Sequence, residues 1–559
     1  MCILCIATGT FDPARHIDVS NPIFTSIIED SGAQDDTNTS NTMSVFDTFY
    51  GSVSDTSDED WVEIDFVAGE TYDINLIGDT LSDPYLYLRD SSAALLTSDD
   101  DDGIGLDSLI RFTASESGTY YLVADAYSIY TGSYELSVTQ VEPATLNELA
   151  LYLTEGYAGY EYTFDTSASN IITVNLSGLT AAGQKLARWA IDSWEMIVDL
   201  DFVEVLSGEQ ITMDDESSGA YAYFPGGTGS DGVELNISTS WISTYGISID
   251  SYSYQTFVHE IGHAIGLGHQ GSYNGSATYG VDETFLNDSW QVSVMSYFSQ
   301  TENTFVDASY AFLAGPMMAD ILAVQNLYGA PDSTSVTAGN TIYGANSNIG
   351  NYLDEVFQEL STGNTTSNVT GNSIAFTIYD QGGFDTLDLS FLTNGASIDL
   401  RAGQFSDFGG LTGNMGIAHG TVLERAFLGL GDDVVQGNSS ENELHGNDGN
   451  DTMYGGGGAD HLLGQGGDDN LWGGNGGDFF YLSYSYGADI IWDFEEDIDR
   501  IYIFDGSNEL SLGEYELSYD TDGYRTYTLS DNSSLTLYQI YNDDPTGSLT
   551  ISGTQTEGS

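Results

Sequence analysis

The chain has 559 residues, too many for one hydrophobic core, and the length alone predicts roughly three to four domains. Nine basic residues against 86 acidic ones give a formal charge of −77, a field that repels nucleic acid and anionic membranes and excludes both as partners. With 40% hydrophobic and 12% aromatic residues this is no acidic disordered polymer, so the acid points to bound cations or to solvation in salt.

Cys2 and Cys5 are the only cysteines, so no disulfide framework supports the chain. The pair is either a terminal tag or a thiol arm able to reach a metal. No basic region precedes Ile3-Leu4, the apolar run is short and Arg15 follows soon after, which is not the pattern of a secretory signal peptide. No stretch is long enough to span a bilayer. Residues 1–29 are read as an N-terminal segment.

Residues 30–141 are read as all-β. Trp61 to Phe66 alternates, Ala68-Gly69-Glu70 turns, and Tyr72 to Leu76 alternates again. Tyr85 to Leu88, Gly118 to Val123 and Gly132 to Val138 supply further strands, at a spacing that predicts a small sandwich. The run from Asp-Trp-Val through Ala-Gly-Glu-Thr-Tyr and Asp-Pro-Tyr-Leu-Tyr-Leu to Ser-Gly-Thr-Tyr-Tyr-Leu resembles the bacterial pre-peptidase C-terminal-type domain. Its acidic loop Asp99 to Gly103 is either a calcium site or a solvated charge run.

Glu142-Pro143-Ala144 is a linker, and Leu146 to Tyr157 carries a helical apolar pattern. Thr180 to Leu200 predicts an amphipathic helix with Leu186, Trp189, Ala190, Trp194, Ile197 and Val198 on its core face. Short strands follow at 202–205, 211–213 and 219–224. Then comes His259-Glu260-Ile261-Gly262-His263-Ala264-Ile265-Gly266-Leu267-Gly268-His269. On a helix His259 and His263 leave the same face and can share one metal. Gly266 and Gly268 let the chain leave the helix and swing His269 back as a third nitrogen ligand. Three protein ligands leave coordination space for water, the mark of a catalytic rather than a structural zinc site. Glu260 sits beside the first ligand and can handle the protons of an attacking water. With seven histidines in the whole chain, three at these offsets are not a chance feature of a core helix.

This H-E-x-x-H-x-x-G-x-x-H run is identified as a metzincin signature. Ser293-Val294-Met295-Ser296-Tyr297-Phe298 resembles the Met-turn of the serralysins, the secreted bacterial zinc endopeptidases. The resemblance implies an α+β protease domain over 145–330 with a closing helix at Met317 to Tyr328. It also implies Met295 as a floor and Tyr297 as a displaceable extra zinc ligand. Two positions depart from the family: Gln270 and Ser272 stand where serralysins usually carry Pro and Asp.

Beyond Pro331 the composition turns to Gly, Asn, Asp and Thr. From Leu428 to Tyr481 a nine-residue repeat runs in register. Its sixth position reads Asp433, Asn442, Asp451, Asp460, Asp469 and Asp478, and its eighth Val435, Leu444, Met453, Leu462, Leu471 and Phe480. A flexible glycine-rich linker would hold no such register. The pattern is the RTX nonapeptide of calcium-binding parallel β-rolls, and Asn442, lacking charge, marks its weakest turn. Asp380-Gln381-Gly382-Gly383-Phe384-Asp385 resembles a serralysin calcium run, which carries Asp380, Gly382 and Asp385 over as ligands. The run from Ile417 to Ala426 also resembles the family's lead into the first repeat.

These readings predict a multidomain chain: a β-sandwich at 30–141, an α+β metzincin domain at 145–330, an RTX parallel β-roll at 331–481 and a C-terminal β segment at 482–559. By resemblance the last carries a type I secretion signal, although Thr-Glu-Gly-Ser replaces the apolar ending. The expected function is a monomeric, secreted, zinc-dependent endopeptidase stabilised by calcium and acting on extracellular proteins. The alternative is a non-catalytic calcium-binding adhesin or matrix protein; an intact Glu260 argues against it.

Overall fold

Alternation of apolar and polar residues builds the N-terminal unit. In Asp60–Phe66, Val62, Ile64 and Phe66 are fully buried while Glu63 and Asp65 face outward. The computed structural model describes residues 25–30, 33–225, 232–483, 487–495 and 498–504, with the strands Glu516–Tyr519, Arg525–Thr528 and Ser534–Leu537 beyond them. Cys2, Cys5 and the terminal Thr-Glu-Gly-Ser lie outside the described residues. A division into two compact units falls between Pro143 and Ala144.

Among the described residues the first unit has nine strands: β1 Ser26–Ile28, β2 Thr48–Val53, β3 Asp60–Phe66, β4 Thr71–Gly78, β5 Pro84–Arg89, β6 Leu95–Asp99, β7 Ser108–Thr113, β8 Gly118–Ala126 and β9 Gly132–Val141. One sheet has the order β1-β2-β9-β4-β7 and the other β3-β8-β5-β6. Phe49, Ile74 and Leu136 of the first meet Ile64, Leu88 and Leu122 of the second in one core, so the predicted sandwich is present. Strands β1, β2, β6 and β7 were not in the sequence reading. Leu95 and Leu96 of β6 stay exposed, so no alternation marks that strand.

In the second unit, helix α1 (Leu146–Leu151) begins with a capping box between Thr145 and Glu148 and runs into a π-helical turn at Tyr152–Gly156. Helix α2 (Ala181–Glu195) is capped by Thr180 and ends before the predicted Leu200, although Ile197 and Val198 remain buried past its end. Leu186, Ala190 and Trp194 are in the core as expected. Trp189 is only partly buried and carries the Lys185 ammonium at 4.4 Å over its ring.

The sheet beside α2 has strands β10 (Ile171–Gly178), β11 (Asp201–Glu204), β12 (Ile211–Asp214), β13 (Ala220–Ala222) and β14 (Val233–Ile237), ordered β11-β10-β12-β14-β13. Its strands pair in parallel except β13, which runs antiparallel along the edge. Helix α3 (Thr239–Tyr245) leads to α4 (Tyr252–Ala264), which carries the histidine run, and α5 (Met318–Tyr328) follows. Helix α6 (Tyr352–Thr362) lies where the sequence reading had only β structure; Asn351 caps it and Gly363 ends it in the left-handed region.

Farther on, the chain coils through two sheets. Leu444 stands beside Leu462 and Leu462 beside Phe480 in one sheet, while Val435, Met453 and Leu471 align in the other, all by parallel pairing. One turn of the coil is 18 residues, so successive nine-residue units alternate between sheets. Every eighth-position side chain is fully buried between them.

Candidate active site and its metal-binding histidines

Helix α4 is packed almost all round, and its two histidines emerge toward a cleft. After Ala264 the chain turns at Gly266, whose φ of +111° and close approach to the Tyr162 carbonyl both exclude a side chain. Gly268 has no positive φ; it is there for space, because a Cβ would strike the Tyr157 ring. These two residues return His269 to the helix. The Nε2 atoms of His263 and His269 come within 3.0 Å, and one ligand atom from each of His259, His263 and His269 fits within 4.8 Å.

All three Nδ1 atoms are occupied by backbone carbonyls: His259 by Val294 at 2.8 Å, His263 by Leu267 at 2.7 Å and His269 by Tyr273 at 2.9 Å. That fixes the tautomer with Nε2 as the free lone pair. Burial holds His259 down to about 4 and, with its neighbouring imidazole, His269 down to about 3; burial pushes His263 well below the usual range. The imidazoles are therefore neutral at ordinary pH, which is the ligand form. The donor set fits a zinc ion.

Glu260 is 6% exposed and its Oε2 has no protein partner among the described residues. Burial raises its carboxyl to about 8, a shift that a nearby divalent charge opposes. Met295 is fully buried beneath the helix, and a Cβ on Gly262 would come within 2.6 Å of its Sδ. Gly262 thus lets the methionine floor seat, a role absent from the sequence reading. The Tyr297 ring lies 4.5 Å from that of His269, and its hydroxyl accepts from the Gly275 N–H at 3.2 Å. A cavity of about 500 Å³ opens beside His259 and Glu260, walled by Trp241, Tyr252 and Trp290, with Gly219 and Ala220 at its border.

This geometry suits hydrolysis of a peptide bond with a metal's help, the chemistry of a metallopeptidase. Residues 333–519 match the family described as Peptidase M10 serralysin C terminal, 161–321 the Metallo-peptidase family M12B Reprolysin-like, and 58–126 the Bacterial pre-peptidase C-terminal domain. Metallopeptidase AprA of Pseudomonas marginalis is 36% identical over 364 residues, covering 59% of this chain and 73% of its own. Serralysin of Photorhabdus luminescens is 36% identical over 299 residues, 51% of this chain and 59% of that one. Serralysin C of Dickeya chrysanthemi is 38% identical over 267 residues, 44% and 52%. The chain therefore spans little more than half the length of these last two relatives. It belongs to the serralysin-type metallopeptidases, and it is a metalloendopeptidase.

The second predicted cluster is spread along the coil. Four of the five sixth-position carboxylates reach back one turn: Oδ1 of Asp451, Asp469, Asp460 and Asp478 accepts from the backbone N–H of Asp433, Asp451, Asn442 and Asp460, at 2.8 to 2.9 Å. Oδ2 of Asp451, Asp460 and Asp469 is buried without a partner among the described residues. Burial raises these carboxyls to about 8, 7 and 6. Asn442 lacks such an orphan: its Oδ1 accepts from Asn438 and its Nδ2 donates to Leu423. Asp433 is likewise satisfied, by Ala396 and Gly429. Asp489 and Asp499 continue the ladder by accepting from Asp469 and Asp478, at offsets of 20 and 21 that hid them from a nine-residue search. In the upstream run Asp380 accepts from Gly382 and Tyr343, and Asp385 accepts from Thr341 while its Oδ2 has no partner among the described residues.

Among the described residues no helix is long and apolar enough to cross a membrane.

Proposed function

We propose that the chain is a secreted zinc endopeptidase in which His259, His263 and His269 hold the zinc and Tyr297 is a labile fourth ligand. The observation that carries the reading is the convergence of three Nε2 lone pairs beside a buried, unpartnered Glu260 Oε2. Zinc, when bound, polarises the scissile carbonyl as a Lewis acid and makes water acidic enough to attack near neutral pH. Glu260 takes the proton from that water and delivers it to the leaving amide nitrogen. Met295 supports the ligand helix from below. An extended substrate pairs its main chain with the edge strand β13, which borders the cavity.

In this reading the chain divides into a sandwich at 30–141, a protease domain at 145–330, a calcium roll at 331–481 and a secretion-competent β segment at 482–559. Calcium would be held by Asp451, Asp460 and Asp469, with Asp478 at the corresponding place in the next turn. The upstream site would use Asp380, Gly382 and Asp385. Support comes from the orphaned Oδ2 atoms and from the first glycines of the repeats: a Cβ on Gly446, Gly455, Gly464 or Gly473 would invade the space beside those carboxylates. Asp433, with both oxygens taken by backbone N–H groups, is the poorest candidate. Type I export and a monomeric state complete the reading. The sandwich, with no cysteine or histidine of its own, is an accessory domain and not a latency device.

Casein digestion by the purified chain tests this. Activity should vanish with a zinc chelator and return on adding zinc. Undiminished digestion in excess chelator would overturn the zinc mechanism.

A further inference from the structure

Two buried carboxylates stand behind the metal site without touching it. We propose that Asp288 and Asp320 are positioning residues, each fixing the backbone carbonyl that orients one outer histidine; the inference rests on the zinc reading above.

The three carbonyls that hold the histidine Nδ1 atoms are not equally secure. The Leu267 carbonyl lies at the end of the ligand helix, where the Leu267 N–H still donates to Gly262 at 2.9 Å. Val294 and Tyr273 lie on irregular loops, where no ladder of hydrogen bonds holds a peptide plane. Each has a carboxylate behind it instead. Asp320, fully buried in the first turn of α5, accepts from the Val294 N–H at 2.7 Å, the Ser293 hydroxyl at 2.6 Å and the Met317 N–H at 2.8 Å. Val294 thus receives His259 on its carbonyl and gives its own N–H to Asp320.

Asp288, also fully buried, accepts the Tyr273 hydroxyl on both oxygens, at 3.2 and 3.0 Å. That same hydroxyl accepts the N–H of Tyr297 at 3.3 Å, and the Tyr273 carbonyl receives His269. Tyr273 therefore ties the third histidine to the Met-turn tyrosine, and Asp288 locks the tie. The Asp288 carbonyl is held in turn by Asn303 at 2.8 Å.

Neither carboxylate forms a salt bridge among the described residues. An unpaired buried carboxylate is costly unless hydrogen bonds surround it, and it makes a poor device for stability alone. Apart from the Met317 N–H at the start of α5, the groups they bind belong to the two loops that carry histidine acceptors. In many metal sites a carboxylate bonds the histidine directly and raises its basicity. Here one backbone amide, or one tyrosine, is interposed.

The test uses the full chain, loaded with zinc and, separately, with cobalt as a spectroscopic probe. Tyr273→Phe removes only the hydroxyl, and Asp288→Asn and Asp320→Asn keep the side-chain shape, so folding is preserved in at least the first. Each should lose zinc to a competing chelator with an affinity roughly 10–100-fold weaker, the range for outer partners of metal ligands. The cobalt absorption bands should shift, and kcat should fall while KM holds. Tyr273→Phe combined with Asp288→Asn should cost little more than either alone, because they act through one hydroxyl. Wild-type zinc affinity and cobalt bands in all three single variants, with only melting temperature lowered, would overturn the proposal. A wild-type chain that binds no zinc would instead sink the zinc reading itself.

Discussion

At the scale of single residues, the orphaned Oε2 of Glu260 separates chemistry from coordination. Glu260→Ala should keep its zinc, measured by metal analysis, while hydrolysis of a short peptide falls by about 10²–10⁴-fold, the usual contribution of a general acid–base group. Tyr297→Phe should be milder, roughly tenfold or less in kcat, because three histidines remain; the same peptide assay reads it. A glycine can be as decisive. Gly464→Ala puts a methyl group against Asp469 Oδ2, so calcium titration of that variant, followed by circular dichroism, should show a weaker midpoint than wild type. The three histidines that the structure brings together, and Glu260 beside them, were legible in the sequence because their spacing is local. Their supports were not: Asp288 and Asp320 act across 15 and 26 residues, through Tyr273 and Val294, and no local pattern marks them.

At the scale of elements, periodicity was a reliable guide where one face was buried. Strands β3, β4, β5, β8 and β9 were readable from alternation, and α2 from its apolar face. It failed in β6, whose leucines stay exposed, and it was overlooked in α6, where Tyr352, Leu353, Val356 and Phe357 form a buried stripe behind the Asn351 cap. The sandwich also hides a titrating brace. Asp60 in β3 is 5% exposed and accepts the Tyr134 hydroxyl of β9 at 2.7 Å. Burial raises it to about 7, against a model-peptide value near 3.8, with the Tyr134 hydroxyl opposing the rise. A carboxyl whose folded pKa is raised stabilises the fold fully below about pH 4 and loses that contribution as pH climbs through 7. The sandwich should therefore be less stable at pH 9 than at pH 5, by an amount on the order of 1–2 kcal/mol. Asp60→Asn should flatten that difference in a calorimetric scan.

At the scale of the whole molecule, the charge of −77 and the coil belong together. Buried carboxylates raised to between about 6 and 8 by burial want either protons or cations. With calcium removed near neutral pH they must either take up protons or ionise against one another, behind a core one apolar side chain deep per unit. Chelation should abolish the calorimetric transition of the segment after Pro331 and leave that of the sandwich in place, since the two lie in separate compact units. Two unchanged transitions in excess chelator would count against the calcium reading.

The 18-residue turn gives the coil a parity. Because each nine-residue unit crosses to the opposite sheet, deleting one unit sends every later strand to the wrong side. Leu462, which now stacks on Leu444, would come to lie in the column of Met453. Deleting two units shortens the coil by one turn and leaves every column intact. Repeat arrays of this kind can therefore lengthen or shorten by duplication and loss only in pairs, unless the flanking segments on both sides are rebuilt at the same time.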